Sequence, residues 1–241
     1  MDVGEVYESK RCGKLEILEY INYKNVVVKF QDTGEVYTFY KQAIVSGNVL
    51  DRMCPTVVGV GYLGRGGFKA THDGRNSKCY RAWVAMLTRC YDPESWHESY
   101  IGCSVDDNWH NFQNFAEWYY TNYIEGWEVD KDFCVFGNKH YSKEFCTFIP
   151  QEINTFAPRS NKRKFQGFTM TSSGKFVTQL LSNRFGNYYK IFNTSEEAYS
   201  DYCRVKNIDA GLLAEKWKGE IDERVYANLV NFDTDAYINS F

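Results

Sequence analysis

The stretch WEVDKDFCVFGNKHYSKEFCTFIPQEIN, Trp127 to Asn154, holds the densest set of functional side chains in the chain. Trp127-Glu128-Val129 has the composition of a short strand and runs into Asp130-Lys131-Asp132. Gly137-Asn138 offers a turn, because both residues tolerate positive φ. Cys146 to Ile149 predicts a second strand, and Pro150 suits the first turn of a helix that carries Asn154. The predicted order is strand, acidic end, loop, strand, helix.

Working outward, the segments on either side differ in character. Residues 1–60 alternate hydrophobic and polar positions around Asn25–Phe30 and Glu35–Tyr40, with a turn at Asp32-Thr33-Gly34. They predict a small β-barrel. Residues 61–76 are rich in glycine and read as a linker. Residues 77–156 open with Ser77 as an N-cap. A stripe of Tyr80, Trp83, Val84, Leu87 and Tyr91 follows at helical spacing, and a second helix carries Phe112, Phe115, Ala116 and Tyr119. Residues 157–241 predict three strands, then a helix opened by the capping box Thr194-x-x-Glu197. The tail beyond Lys218 either packs back on the body or serves a homodimer. The fold class expected is α+β.

Charge is unevenly spread. The net charge is −3, yet Arg159 to Thr194 holds Arg159, Lys162, Arg163, Lys164, Lys175, Arg184 and Lys190 with no Asp or Glu. Asp92 to Asp132 holds ten acidic residues against Lys131 alone. One surface suits an anionic polymer and the other suits something different. The eight cysteines form no CxxC pair, which gives a structural zinc site little support. No apolar run approaches the roughly 20 residues of a membrane span. The opening MDVGEVYESK lacks the apolar core of a signal peptide. A cytoplasmic protein with no membrane partner is expected.

Several stretches resemble one lineage. The Trp127–Asn154 segment resembles the HNH motif of phage homing endonucleases, altered at key positions. The resemblance extends through YRAWVAMLTRCYD (80–92) and VDDNWHNFQNFAEWY (105–119). It makes Asp130 and Asn154 candidate Mg²⁺ ligands and places Asn138 in the loop. Lys131 stands where such motifs carry the histidine base. A protonated lysine cannot accept a proton from water, so His140 is the nearest substitute. GKLEILEYINYKNVVVKFQDTGEVY (13–37) resembles the Src-homology-like barrel of this lineage. GFTMTSSGKFVTQL (167–180) and YKIFNTSEEAYSDYC (189–203) resemble the Apetala-type DNA-binding domain. That likeness implies DNA contacts from Lys175, Thr178, Gln179, Arg184 and Lys190, and an inner sheet face made by Phe176, Tyr189 and Phe192.

The function expected from these readings is double-stranded DNA binding by a phage-type protein derived from a homing endonuclease, with little cleavage and no required cofactor. Two alternatives stand beside it. One is an Mg²⁺-dependent HNH-like endonuclease. The other is an inhibitor or adaptor that meets a host or phage protein through its acidic surface.

Overall fold

The computed structural model describes residues 1–95, 100–156, 167–182, 184 and 186–240. The chain is mixed α+β and divides into two compact units, Met1–Thr121 and Asn122–Phe241.

The first unit opens with β1 (Val6–Ser9), β2 (Gly13–Asn22), β3 (Asn25–Phe30) and β4 (Val36–Phe39), an antiparallel sheet in chain order. Alternation sets its buried face. Leu15 and Ile17 on β2 and Val26, Val28 and Phe30 on β3 are all fully buried. Ile44 of α1 (Lys41–Val45) and Val49 complete that core. The expected barrel is not closed: β1 and β4 are the two edges and do not pair. Closure needs enough tilted, staggered strands to bring the edges together. Two of these four strands have four residues each, and α1 covers the apolar face instead.

The glycine-rich stretch is packed rather than loose. A Cβ on Gly61 would lie 2.4 Å from Leu87, and one on Gly64 would overlap Asn111. Buried Gln113 donates to the carbonyls of Leu63 and Phe68 at 3.0 and 3.1 Å, and its oxygen accepts from the Phe68 N–H. A hairpin of β5 (Thr71–His72) and β6 (Arg75–Asn76) follows. It leads into α2 (Lys78–Tyr91), where the Ser77 hydroxyl accepts the Tyr80 N–H as predicted. The buried stripe of α2 is Cys79, Trp83, Met86, Leu87 and Cys90. It lies slightly rotated from the predicted one, because cysteine packs as a small apolar residue. A short strand β7 (Ser104–Val105) precedes α3 (Phe112–Asn122), whose predicted stripe is buried.

In the second unit, β8 (Trp127–Asp130) pairs antiparallel with β10 (Thr147–Pro150). Short β9 (His140–Tyr141) lies between them in sequence, and α4 (Gln151–Asn154) follows directly. This is the predicted ββα order. Beyond it, β11 (Thr169–Met170), β12 (Phe176–Ser182) and β13 (Gly186–Phe192) make a three-stranded antiparallel sheet. The predicted capping box opens α5 (Ser195–Lys216). Then come α6 (Glu223–Val230) and α7 (Thr234–Asn239). One core joins Phe133, Ile149 and Ile153 of the ββα segment to Leu213 of α5, Leu229 of α6 and Tyr237 of α7. The tail therefore packs back, and the core runs across the position expected as a boundary near residue 157.

Candidate functional site

The ββα segment places its charged residues inside. Asp130 ends β8 and is 8% exposed. Its Oδ2 accepts the Phe133 N–H at 2.7 Å, which fixes the turn after the strand. Burial, and then nearby Asp132, push the Asp130 carboxyl up to about 7, while the Phe133 N–H pulls the other way. Lys131 is also buried, at 3% exposed. Its ammonium donates to the Asp132 carboxylate and to the Asn138 carbonyl at 2.8 Å, and lies 5.5 Å from the Tyr141 ring centre. Asn138 closes the loop: its Nδ2 donates to the His140 carbonyl at 2.7 Å and its Oδ1 accepts the His140 N–H. Gly137, at φ +74°, allows the approach of Ser240 on the tail.

These contacts make Lys131 a strut between Asp132 and the loop carbonyl. It is neither a solvated charge nor a group free to reach a phosphate. Asn154 donates from Nδ2 to Glu128 at 2.6 Å. The His140 ring lies edge-on to Phe145 with centroids 6.4 Å apart. Mg²⁺ favours ionised, solvent-reachable carboxylates in octahedral geometry. Asp130 is buried with a raised pKa, and among the described residues no three His, Cys, Asp or Glu side chains are placed to hold a metal.

The second candidate region is the three-stranded sheet. Cross-strand pairs share a face, so Val177–Ile191, Gln179–Tyr189 and Leu181–Asn187 lie on one side. Phe176–Phe192, Thr178–Lys190, Leu180–Tyr188 and Ser182–Gly186 lie on the other. The second side meets α5. Thr178 is fully buried and donates to the Ala198 carbonyl at 2.7 Å, and Tyr188 donates to Asp201 at 2.7 Å. Leu181, Tyr189 and Ile191 on the first side are 72%, 59% and 49% exposed.

The predicted DNA contacts therefore divide. Lys175, at the β11–β12 turn, and Gln179 are exposed; Lys190 is exposed too, but its register sets it on the α5 side with Thr178. Thr178 is not a contact, because its register turns it to the helix. Tyr189 belongs to the outer face, not the inner one, for the same reason. Arg184 is not a surface contact either. Its Nε and Nη2 grip both oxygens of Asp209 at 2.6 Å, and Nη1 reaches Glu152 at 2.8 Å. Ser182 donates to the same Asp209 carboxylate at 2.8 Å. This network joins α4, the β12–β13 turn and α5. No local pattern announces it, since the partners lie 25 and 32 residues apart. Arg159, Lys162, Arg163 and Lys164 lie outside the described residues.

The acidic stretch is largely at the surface, with Glu94, Asp107, Glu117, Glu125 and Glu128 exposed, but part of it is engaged inside the ββα segment. Asp130 is interior, Asp132 is paired with Lys131, and Glu128 accepts from Asn154. Among the described residues no helix is long and apolar enough to cross a membrane. Comparisons with family models, with curated proteins and with solved structures find no match.

Proposed function

We propose that the protein binds double-stranded DNA through the outer face of the β11–β12–β13 sheet, acts in the cytoplasm as a phage-type regulatory protein, and lacks strong nuclease activity. The observation that carries this reading is the part of that face left open among the described residues, where Gln179, Leu181, Tyr189 and Ile191 are exposed while Val177 at its end is buried. Gln179 and Tyr189 stand paired at its centre, Lys175 lies at the adjoining turn, and α5 backs the opposite side. A glutamine can bond an adenine edge, and exposed Leu181 and Ile191 suit thymine methyl groups. Lys175 would supply a phosphate contact. The interior roles of Asp130 and Lys131 support the absence of a working base and metal pair. Duplex binding by the whole protein, measured by fluorescence anisotropy with and without Mg²⁺, tests this. Binding should weaken with salt, and Lys175→Ala with Gln179→Ala should weaken it further. Mg²⁺-dependent cutting by the natural chain, or duplex affinity untouched by the double substitution, would defeat the reading.

A further inference from the structure

Cys12 and Cys54 stand far apart in the sequence and share one small space in the first unit. Cys12 follows β1, and Cys54 follows α1. The Cys54 sulfur lies 3.6 Å from the carbonyl oxygen of Arg11, the residue before Cys12. The Cys12 sulfur lies 3.9 Å from the carbonyl oxygen of Asp51. That same oxygen accepts the Cys54 N–H at 3.3 Å. Each sulfur therefore rests on backbone that carries the other, and the two thiols are side-chain neighbours. Cys12 is 2% exposed in the core of the four-stranded sheet, and Cys54 packs half-buried against that core.

Bonds that do not involve sulfur hold both backbones in place. The Ser9 hydroxyl accepts the Cys12 N–H at 3.2 Å and the Arg11 N–H at 3.3 Å, and donates to the Val49 carbonyl at 2.8 Å. One side chain thus fixes the β1–β2 turn and ties it to the segment that carries Cys54. On that segment the Asp51 carboxylate accepts from the Tyr37 hydroxyl at 2.9 Å, from the Met53 N–H at 2.8 Å and from the Thr33 hydroxyl. The Tyr37 oxygen accepts the Arg52 N–H at 3.1 Å. Contacts this short between each sulfur and the other's backbone put the pair within reach of a disulfide, whose Cα atoms lie roughly 4.4–6.8 Å apart.

We propose that Cys12 and Cys54 are a peroxide-responsive dithiol site, which closes to a disulfide and clamps the β1–β2 turn to the segment after α1. Half-buried Cys54 meets the oxidant, and buried Cys12 resolves it. The Cys54 sulfur attacks one peroxide oxygen and the O–O bond breaks. The leaving hydroxide takes the thiol proton as water, and Cys54 becomes a sulfenic acid. The Cys12 sulfur then attacks the Cys54 sulfur and expels its oxygen, which leaves with the Cys12 proton as a second water. Two thiols and one peroxide give one disulfide and two waters, and the two electrons lost by sulfur reduce the peroxide. Burial, then the Cys12 thiol, then the charges of Asp51 and Asp32, push the Cys54 thiol up to about 12. The thiolate fraction at neutral pH is therefore small, and the site closes slowly, unlike the reactive cysteine of a redox enzyme. Where a compartment keeps thiols reduced, such a bond forms only under oxidant. The proposal does not rest on the C-terminal sheet.

The test uses the full chain, oxidised overnight with millimolar hydrogen peroxide at pH 8, alkylated, and digested with trypsin without reductant. Cleavage after Arg11, Lys14, Arg52 and Arg65 should release Cys12–Lys14 joined to Met53–Arg65, lighter by two hydrogens than the separate peptides. Dithiothreitol should part them. Thermal unfolding of the oxidised protein should come about 5–15 °C above that of the reduced protein, because the bond closes a long loop in the unfolded chain. Cys54→Ser, at a half-buried position, should lose both the linked peptide and the rise on oxidation. Cys12→Ser should do the same; if that buried substitution prevents folding, the peptide map and the Cys54 variant still decide. Three results would overturn the proposal: both cysteines still open to alkylation after oxidation, Cys54 carried on to a sulfinic acid while Cys12 stays free, or a linked pair that melts no higher than the reduced protein.

Discussion

Asp130→Asn should stabilise the protein at pH 8 and do so much less at pH 5. The Asp130 carboxyl is buried and its pKa is raised from the ordinary 3.8 to about 7. Between these values the folded state binds a proton that the unfolded state has lost. Stability from this group is therefore fully present below about pH 4 and is lost as pH rises through about 7. The full shift corresponds to about 4 kcal/mol, of which about 3 kcal/mol falls between pH 5 and pH 8. Structural relaxation lowers the observable part, so about 2 kcal/mol is expected. An asparagine keeps the one bond that the turn needs, because its Oδ1 can still accept the Phe133 N–H. Urea unfolding of both proteins at pH 5, 6, 7 and 8 isolates the effect, since other titrating groups cancel in the difference. Parallel stability profiles would refute the reasoning. So would millimolar Mg²⁺ that stabilised the natural protein at pH 8 but not the variant, because Asp130 would then be a metal ligand.

Arg184→Ala should cost about 3–5 kcal/mol in urea unfolding, because Asp209, 3% exposed, loses both guanidinium bonds while remaining buried. Thr178→Val should cost about 1 kcal/mol through the lost bond to the Ala198 carbonyl, with duplex affinity unchanged at matched fraction folded. A fragment of residues 157–220 should fail to give a cooperative thermal transition. Ala210, Leu213 and Ala214 pack in the core with Phe133, Ile149 and Ile153, none of which the fragment contains.

The parts of the fold that were legible are those written locally. The Ser77 cap, the Thr194–Glu197 box, the strand β3 and the ββα order each depend on residues within a few positions of one another. The strands of the C-terminal sheet were legible too, but the direction of each side chain was less so. Thr178 and Gln179 are adjacent polar residues in one strand, and a period of two sends them to opposite faces. Only the long-range seat of α5 decides which face is covered. Glycine misled for a related reason. Gly61, Gly64 and Gly66 looked like a flexible connector, yet each lies where a side chain would collide with α2 or the start of α3. Close approach and flexibility produce the same composition.

The altered ββα segment raises the sharpest conflict between motif and environment. Its sequence carries an Asp, an Asn in the loop and an Asn on the helix at suggestive spacing. Its packing places the Asp under the Phe133 amide and ties the loop Asn and Lys131 to one another through backbone carbonyls. A catalytic carboxylate must be reachable and ionised at working pH, whereas one that terminates a strand is best kept dry. Asp130 meets the second requirement. The same reasoning limits what a histidine at position 131 could restore. An imidazole is shorter than the lysine side chain and would have to span the distance to the Asn138 carbonyl, so the loop that is meant to position the base would lose its own strut. Charge in this chain therefore acts in two separate ways. Where it is buried and paired, as at Lys131 and Arg184, it holds loops onto the core. Where it stands at the surface, as at Lys175 on the turn beside the C-terminal sheet, it is not used in this way.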